Sequence, residues 1–410
     1  MVYFRIPRYS AAVILQRDLD EISRLTVDSL RPGQHLYLSF EEVHITPPVV
    51  SLLLEILNLP LFTVPNAEVK ILKVTFYRCK LARPRTQRIP AEVTDCCSPD
   101  DLRILAETLA QRTSFLSFND SPEILVSLLD VSKVVVEHLC LTVHQESLPA
   151  LDCEQLVGSF LRWDHLKKLS LSGPYYLEDS QLFEALANAV HLQALSIREF
   201  PRYSFCRGDG TGVVGRLLQN SQSQLKELGL LSMDLKDRHF MAIVQMLPTS
   251  QLEELNVAIN RIGCQGILAL AEQLPKIKSL KIVCFDSPAW RSTEMESEEC
   301  WAALLQGLLT NYSIICMYSD DESPIGCLVG LYCQLNLAGR RLIATASTVP
   351  IGLWPIIFER ACSVRSPWCR PIFINDTIFY FLQNSPILSF ICSSSPLKNC
   401  PKKKRKIANE

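Results

Sequence analysis

The clearest pattern of apolar and polar positions in the chain runs from Leu252 to Leu274. Leu255 and Val257 alternate with polar neighbours at period two, the spacing of a strand with one buried face. Ile267, Leu270, Ala271 and Leu274 then recur at three- and four-residue steps, the spacing of a helix with one apolar stripe. One short strand followed by one helix is therefore predicted. Asn260 falls where the chain leaves the strand, so its amide is placed to bond backbone groups of neighbouring turns that no sheet ladder satisfies. Gly266 lets the helix pack closely.

The apolar triplet that opens this unit, Leu252, Leu255 and Val257, recurs along the chain at the same spacings of three and two. It is read at Val136, Leu139 and Leu141, at Leu166, Leu169 and Leu171, and at Leu192, Leu195 and Ile197. Further copies are Leu225, Leu228 and Leu230, then Ile277, Leu280 and Ile282, with triplet starts 25 to 33 residues apart. Degenerate members fall at Ile71, Val74 and Phe76 and at Tyr312, Ile315 and Met317. Amphipathic helical stretches at 178 to 190, 235 to 247 and 296 to 309 lie between them. A strand this short cannot bury its apolar side alone, but stacked neighbours form one continuous core.

The unit from Leu252 to Leu274, with Asn260 and Gly266 in place, resembles the ribonuclease-inhibitor-like subclass of leucine-rich-repeat proteins. That resemblance implies an α/β leucine-rich-repeat solenoid: a curved parallel sheet inside, helices outside and a helical C-terminal cap. At the position of Asn260 the other repeats carry Pro174, Phe200, Met233 and Phe285, so their turns cannot use the same amide. The expected organisation is an N-terminal cap over 1–30, a solenoid over 31–318 that is clearest in 130–318, a helical cap over 323–390, and a flexible basic tail over 391–410.

If the apolar residues of each strand point inward, the alternate residues face the concave side. These include Lys168 and Ser170, Arg198, Glu227, Glu254 and Asn256, and Lys281, together with Tyr77, His138, Cys140, Ala194, Ser196 and Val283. Mixed signs and sparse aromatics in this set disfavour both a nucleic-acid groove and a strong aromatic hot spot and do not identify the partner; a protein partner is the expectation.

Within the cap region, helices are predicted at 324 to 343, 353 to 361 and 377 to 383. Leu335-Asn336, Ala338-Gly339-Arg340-Arg341-Leu342, Val349-Pro350, Leu353-Trp354-Pro355 and Ile378-Phe379-Tyr380 resemble a C-terminal module of algal leucine-rich-repeat proteins, a likeness that names no activity. Val329, Cys333 and Leu337, at four-residue steps before Val349-Pro350, are also similar to a SOCS box, although Gly352 stands where a second proline belongs. That second likeness implies a substrate adaptor of a ubiquitin ligase acting through 323–361. At the end of the chain, Lys402, Lys403, Lys404, Arg405 and Lys406 match a short nuclear-import signal, read by an import receptor as an extended basic peptide. A nuclear or nucleocytoplasmic location is expected, with a cytoplasmic one as the alternative.

Composition narrows the chemistry. Lys and Arg total 41 against 43 Asp and Glu, a net charge of -2 that gives no general attraction to nucleic acid or anionic membrane. The first residues lack the apolar run of a signal peptide, and no stretch reaches the roughly 18 apolar residues of a spanning helix. The 16 cysteines are scattered through apolar positions, as expected of reduced thiols in an intracellular protein. Gly210, Gly212 and Gly215 have dinucleotide-loop spacing, yet the strand ending at Ile197 is too far upstream for a tight strand-to-helix turn. His165 and His191 precede repeat leucines and are read as edge or packing residues, while Asp320-Asp321-Glu322 lacks calcium-loop spacing. The expectation is a non-catalytic binding scaffold with no cofactor, no metal and no small-molecule substrate.

Overall fold

Period-two segments that are too short to stand alone are arranged side by side in one sheet. In chain order the strands are β1 (Val2–Ile6), β2 (His35–Glu41), β3 (His44–Ile45), β4 (Lys70–Tyr77), β5 (Lys80–Leu81), β6 (Thr113–Asn119) and β7 (His138–Thr142). They continue as β8 (Lys168–Ser172), β9 (Ala194–Arg198), β10 (Glu227–Leu231), β11 (Glu254–Asn256), β12 (Ile282–Cys284) and β13 (Cys316–Tyr318). Eleven of them form a single sheet in the order β1-β2-β4-β6-β7-β8-β9-β10-β11-β12-β13, and β3 pairs with β5 separately. Every neighbouring pair in the large sheet is parallel. This computed structural model describes residues 2–6, 35–41, 44–58, 70–77, 80–81, 97–119, 122–129, 131, 134–142, 159, 163–173, 186–198, 210–285, 294–318, 324–345, 353–363 and 374–384.

The helices either return the chain between strands, as a parallel sheet requires, or follow the last strand as the cap. They are α1 (Pro47–Leu57), α2 (Pro99–Arg112), α3 (Pro122–Leu129), α4 (Gly210–Gln219), α5 (Asp237–Met246), α6 (Cys264–Gln273) and α7 (Glu294–Thr310), followed by α8 (Pro324–Ala338), α9 (Arg340–Thr345), α10 (Trp354–Ser363) and α11 (Ile374–Asn384). The start of α2 shows how local sequence sets such a boundary. The Ser98 hydroxyl accepts the Asp101 N–H at 3.1 Å, the Asp101 carboxylate accepts the Ser98 N–H at 2.9 Å, and Pro99 opens the first turn. Among the described residues no helix is long and apolar enough to cross a membrane. The result is a repeating strand-helix α/β architecture on an all-parallel open sheet.

The inward leucines lie in register. Leu116, Leu139, Leu169, Leu195, Leu228 and Leu255 are successive neighbours across six strands, and Val283 and Met317 extend the row. All are buried, and one apolar core runs unbroken from Leu38 to Cys333. Burial of each leucine contributes about 1.5–3 kcal/mol before chain entropy is counted. Parallel to that row, Phe40, Phe76 and Phe118 stack at ring-centroid distances of 5.5 and 5.4 Å, an aromatic ladder in the N-terminal strands.

Two predicted triplets shift. At β12 the inward residues are Val283 within the strand and Leu280 and Phe285 flanking it, because Leu255 pairs with Val283; Ile282 is only half-buried. Val283 is therefore core and does not face outward. In β13 the inward pair is Ile314 and Met317, in place of the triplet begun at Tyr312. Phe285 supplies the third apolar position of β12, which a reading confined to leucine and isoleucine passes over. The helix predicted over 324 to 343 also divides: α8 stops at Ala338, Gly339 adopts φ +112°, and α9 begins at Arg340.

The cap is bonded to the last repeat by polar side chains. Asn311 Nδ2 donates to the carbonyls of Leu274 and Ile277 at 2.7 and 2.9 Å, while its Oδ1 accepts the Ile314 N–H at 2.9 Å. From α8, Asn336 Nδ2 donates to the carbonyls of Asn311 and Ile314. The buried Arg340 guanidinium donates to the carbonyls of Leu308 and Asn311 at 2.5 and 2.7 Å and lies over the rings of Tyr312 and Tyr332. The Arg340 donors satisfy carbonyls that the end of α7 leaves open, and a cation suits that helix terminus. Of the four-residue stripe that resembles a SOCS box, Val329 and Cys333 are buried in the repeat core and Leu337 is partly exposed.

Candidate interaction face

The outward residues of β2 to β11 form rows, because a parallel ladder keeps every second residue on one side. In the first row, Tyr37, Lys73, Phe115 and His138 are successive register partners on β2, β4, β6 and β7. The row continues through Lys168, Ala194, Glu227 and Glu254 on β8 to β11. In the second row, Ser117, Cys140, Ser170, Ser196, Gly229 and Asn256 follow one another. That row is a lane of short side chains; a Cβ on Gly229 would already sit 2.9 Å from Ser196 Oγ.

The charges in the first row are arranged in a definite order. Lys73 Nζ lies 4.4 Å from the centre of the Phe115 ring, and that ring meets the His138 imidazole edge-on at 4.1 Å. Burial, then Lys168 and Lys73, hold His138 well below the ordinary imidazole value, at about 4, so it is neutral at pH 7. Lys168 crosses the small Ala194 to pair with Glu227 at 2.8 Å. Beside it, Glu254 is lifted above the usual carboxylate range, first by partial desolvation and then by Glu227.

Of the sequence-predicted face residues, Lys168, Ser170, Arg198, Glu227, Glu254 and Asn256 lie on β8 to β11 at outward positions. Lys281 lies just before β12 at the strand edge, where it pairs with Glu253. A second edge row accompanies it: Lys167 pairs with Glu137 at 2.8 Å and Lys226 with Glu253 at 3.4 Å. Lys73 stands inside the triplet Ile71, Val74 and Phe76, from which only Tyr77 is expected on the face, and Phe115 is missed because β6 begins directly from α2 at Thr113 and carries phenylalanines where leucines are expected. Its alternation of Phe115, Ser117 and Asn119 outward with Leu116 and Phe118 inward is the available signal.

The other motifs resolve locally. Asn260 accepts the N–H groups of Met233 and Leu235 at 2.9 and 3.0 Å and donates to the carbonyls of Leu230 and Val257 at 2.6 and 2.8 Å. Its amide therefore joins two turns. Gly210, Gly212 and Gly215 lie inside α4 instead of in a loop ahead of it, and a Cβ on Gly215 would come within 2.7 Å of Met246 Sδ. A Cβ on Gly266 would stand 2.8 Å from Ile262 Cγ2, as tight helix packing requires. Cys284 on β12 has its thiol pushed up by burial and by Glu254, the opposite of an activated nucleophile. The import-signal residues Lys402 to Lys406 lie outside the described residues.

No family model matches the chain, and no curated protein matches it. Among solved structures, actin-binding site 2 of leiomodin-1 is similar at 19% identity and a TM-score of 0.33, over 39% of this chain and 89% of that one. A Bacteroides fragilis protein from a structural-genomics programme is similar at 16% identity and a TM-score of 0.38, over 67% of this chain and 71% of that one. Likeness of this degree assigns neither family nor function.

Proposed function

We propose that the protein is a non-catalytic leucine-rich-repeat scaffold that binds a protein partner across the open face of its sheet. The observation that carries this reading is the unbroken lane Ser117, Cys140, Ser170, Ser196, Gly229 and Asn256, flanked by the aromatic and charged residues of the first row. Helices pack about 8–10 Å apart and strands about 4.8 Å apart, so a sheet backed by helices on one side curves with its open face inward. Short side chains down the middle of such a trough leave room for an extended segment, and polar walls supply selectivity. The basic run Lys402, Lys403, Lys404, Arg405 and Lys406 adds a nuclear-import step to the same proposal.

The test fills the lane without touching the core. Affinity purification of the full chain is compared with a Ser170→Arg, Ser196→Arg double variant, with thermal unfolding as the folding control. Loss of the partners recovered by the unaltered chain is expected. Equal recovery from a folded variant would contradict binding at this face.

A further inference from the structure

Two charges on the open face lack an ion-pair partner among the described residues, and they stand far apart in the first row, beside the lane. Lys73 on β4 contacts the Phe115 ring and no carboxylate. Glu254 on β11 has no cation in salt-bridge range, since Lys168 is held by Glu227 and Lys281 by Glu253. The sheet order between them is β4-β6-β7-β8-β9-β10-β11, six strand spacings, or about 29 Å at ~4.8 Å each. An extended polypeptide covers that span with about nine residues.

We propose that the open face takes an extended polypeptide segment of split charge, its acidic end over Lys73 and its basic end over Glu254, with short uncharged residues between. This rests on the reading that the open face binds protein, and it specifies the partner's chemistry. A nucleic acid fits poorly, because a phosphate chain needs a run of unpaired cations. Here the row turns acidic at Glu227 and Glu254, so a polyanion laid past β8 meets repulsion. A uniformly basic peptide meets Lys73 and Lys168 at the other end. Phe115 and neutral His138 next to Lys73 add a flat apolar surface and an imidazole hydrogen-bonding site for the acidic end, without adding charge.

Fluorescence anisotropy with the full chain provides the test. The probes are a labelled peptide with a Glu block and a Lys block separated by about eight Gly/Ser residues, all-Glu and all-Lys peptides of equal length, and oligothymidine. The split-charge peptide is expected to bind most tightly, and Lys73→Glu and Glu254→Lys are each expected to weaken it about tenfold. The double exchange Lys73→Glu, Glu254→Lys restores binding, because the segment can then lie in the opposite direction. The assignment is overturned if the single exchanges leave affinity unchanged, if oligothymidine or a single-sign peptide binds as tightly, or if no probe binds. A drop in partner recovery from the Ser170→Arg, Ser196→Arg variant alongside any of those results keeps the open-face reading and discards only its charge polarity.

Discussion

Strands β2, β4 and β6 fill the second inward position with Phe40, Phe76 and Phe118, stacked ring on ring, whereas β7 to β10 fill it with Leu141, Leu171, Ile197 and Leu230. The C-terminal repeats are also tied at their turns by asparagines whose amides bond to neighbouring backbone. Asn260 serves one such turn and Asn311 the last one before the cap. One sheet thus continues through two kinds of reinforcement. Phenylalanine supplies area and stacking inside the strands, while asparagine satisfies backbone groups where the strands end.

Removing one ring from the aromatic ladder should give the largest effect. Phe76 is fully buried between two partners, so Phe76→Ala is expected to cost about 3–5 kcal/mol in urea unfolding. Hydrogen exchange should show β2, β4 and β6 opening before β9 to β11. Uniform loss of protection would erase the distinction between the two regions. Asn260→Leu tests the other kind of reinforcement. It strands the N–H groups of Met233 and Leu235 and the carbonyls of Leu230 and Val257, with an expected cost of about 3 kcal/mol concentrated in β10 and β11. A change below about 1 kcal/mol would mean that water replaces the amide.

His138 lies at the junction of the two regions and sharpens the comparison through pH. Its native value of about 4 is below the ordinary 6.5, so the unfolded chain binds the proton that the native chain refuses. Stability should therefore fall as pH drops from about 6.5 toward 4, and His191 and His239, lowered by burial, push the same way. His138→Gln is expected to reduce the slope of the urea midpoint against pH over that window; an unchanged slope would refute the assignment. The smallest effect concerns the turn beside Asn260. Ile259 is exposed and adopts φ 59°, a conformation that a β-branched residue resists. Ile259→Asn should raise stability by about 1 kcal/mol, and no gain would show that the turn carries no such strain.

Much of this arrangement was legible from spacing. Period two with leucine at fixed steps located β7 to β11 and their outward residues, and Asn260 was readable because an amide at a strand exit has few other uses. Spacing failed where other side chains took over the inward positions. Phe285 displaced the expected register of β12, and Phe118 concealed β6 altogether. The face residue Phe115 was lost with it, since a residue can be assigned outward only once its neighbours are known to point in. The bonds from Asn336 and Arg340 to the end of α7 and the turn after it were beyond reach for a different reason: they join residues 22 to 32 positions apart through carbonyls that carry no sequence signature.

Stacking of successive repeats can be tested on the unaltered chain by zero-length carbodiimide cross-linking and peptide mass spectrometry. Carboxylates and amines close enough for an ion pair become amides, so links Glu137–Lys167, Glu227–Lys168, Glu253–Lys226 and Glu253–Lys281 are expected. Absence of these four, with links instead between residues on strands far apart in the sheet, would contradict the side-by-side arrangement and the face built upon it.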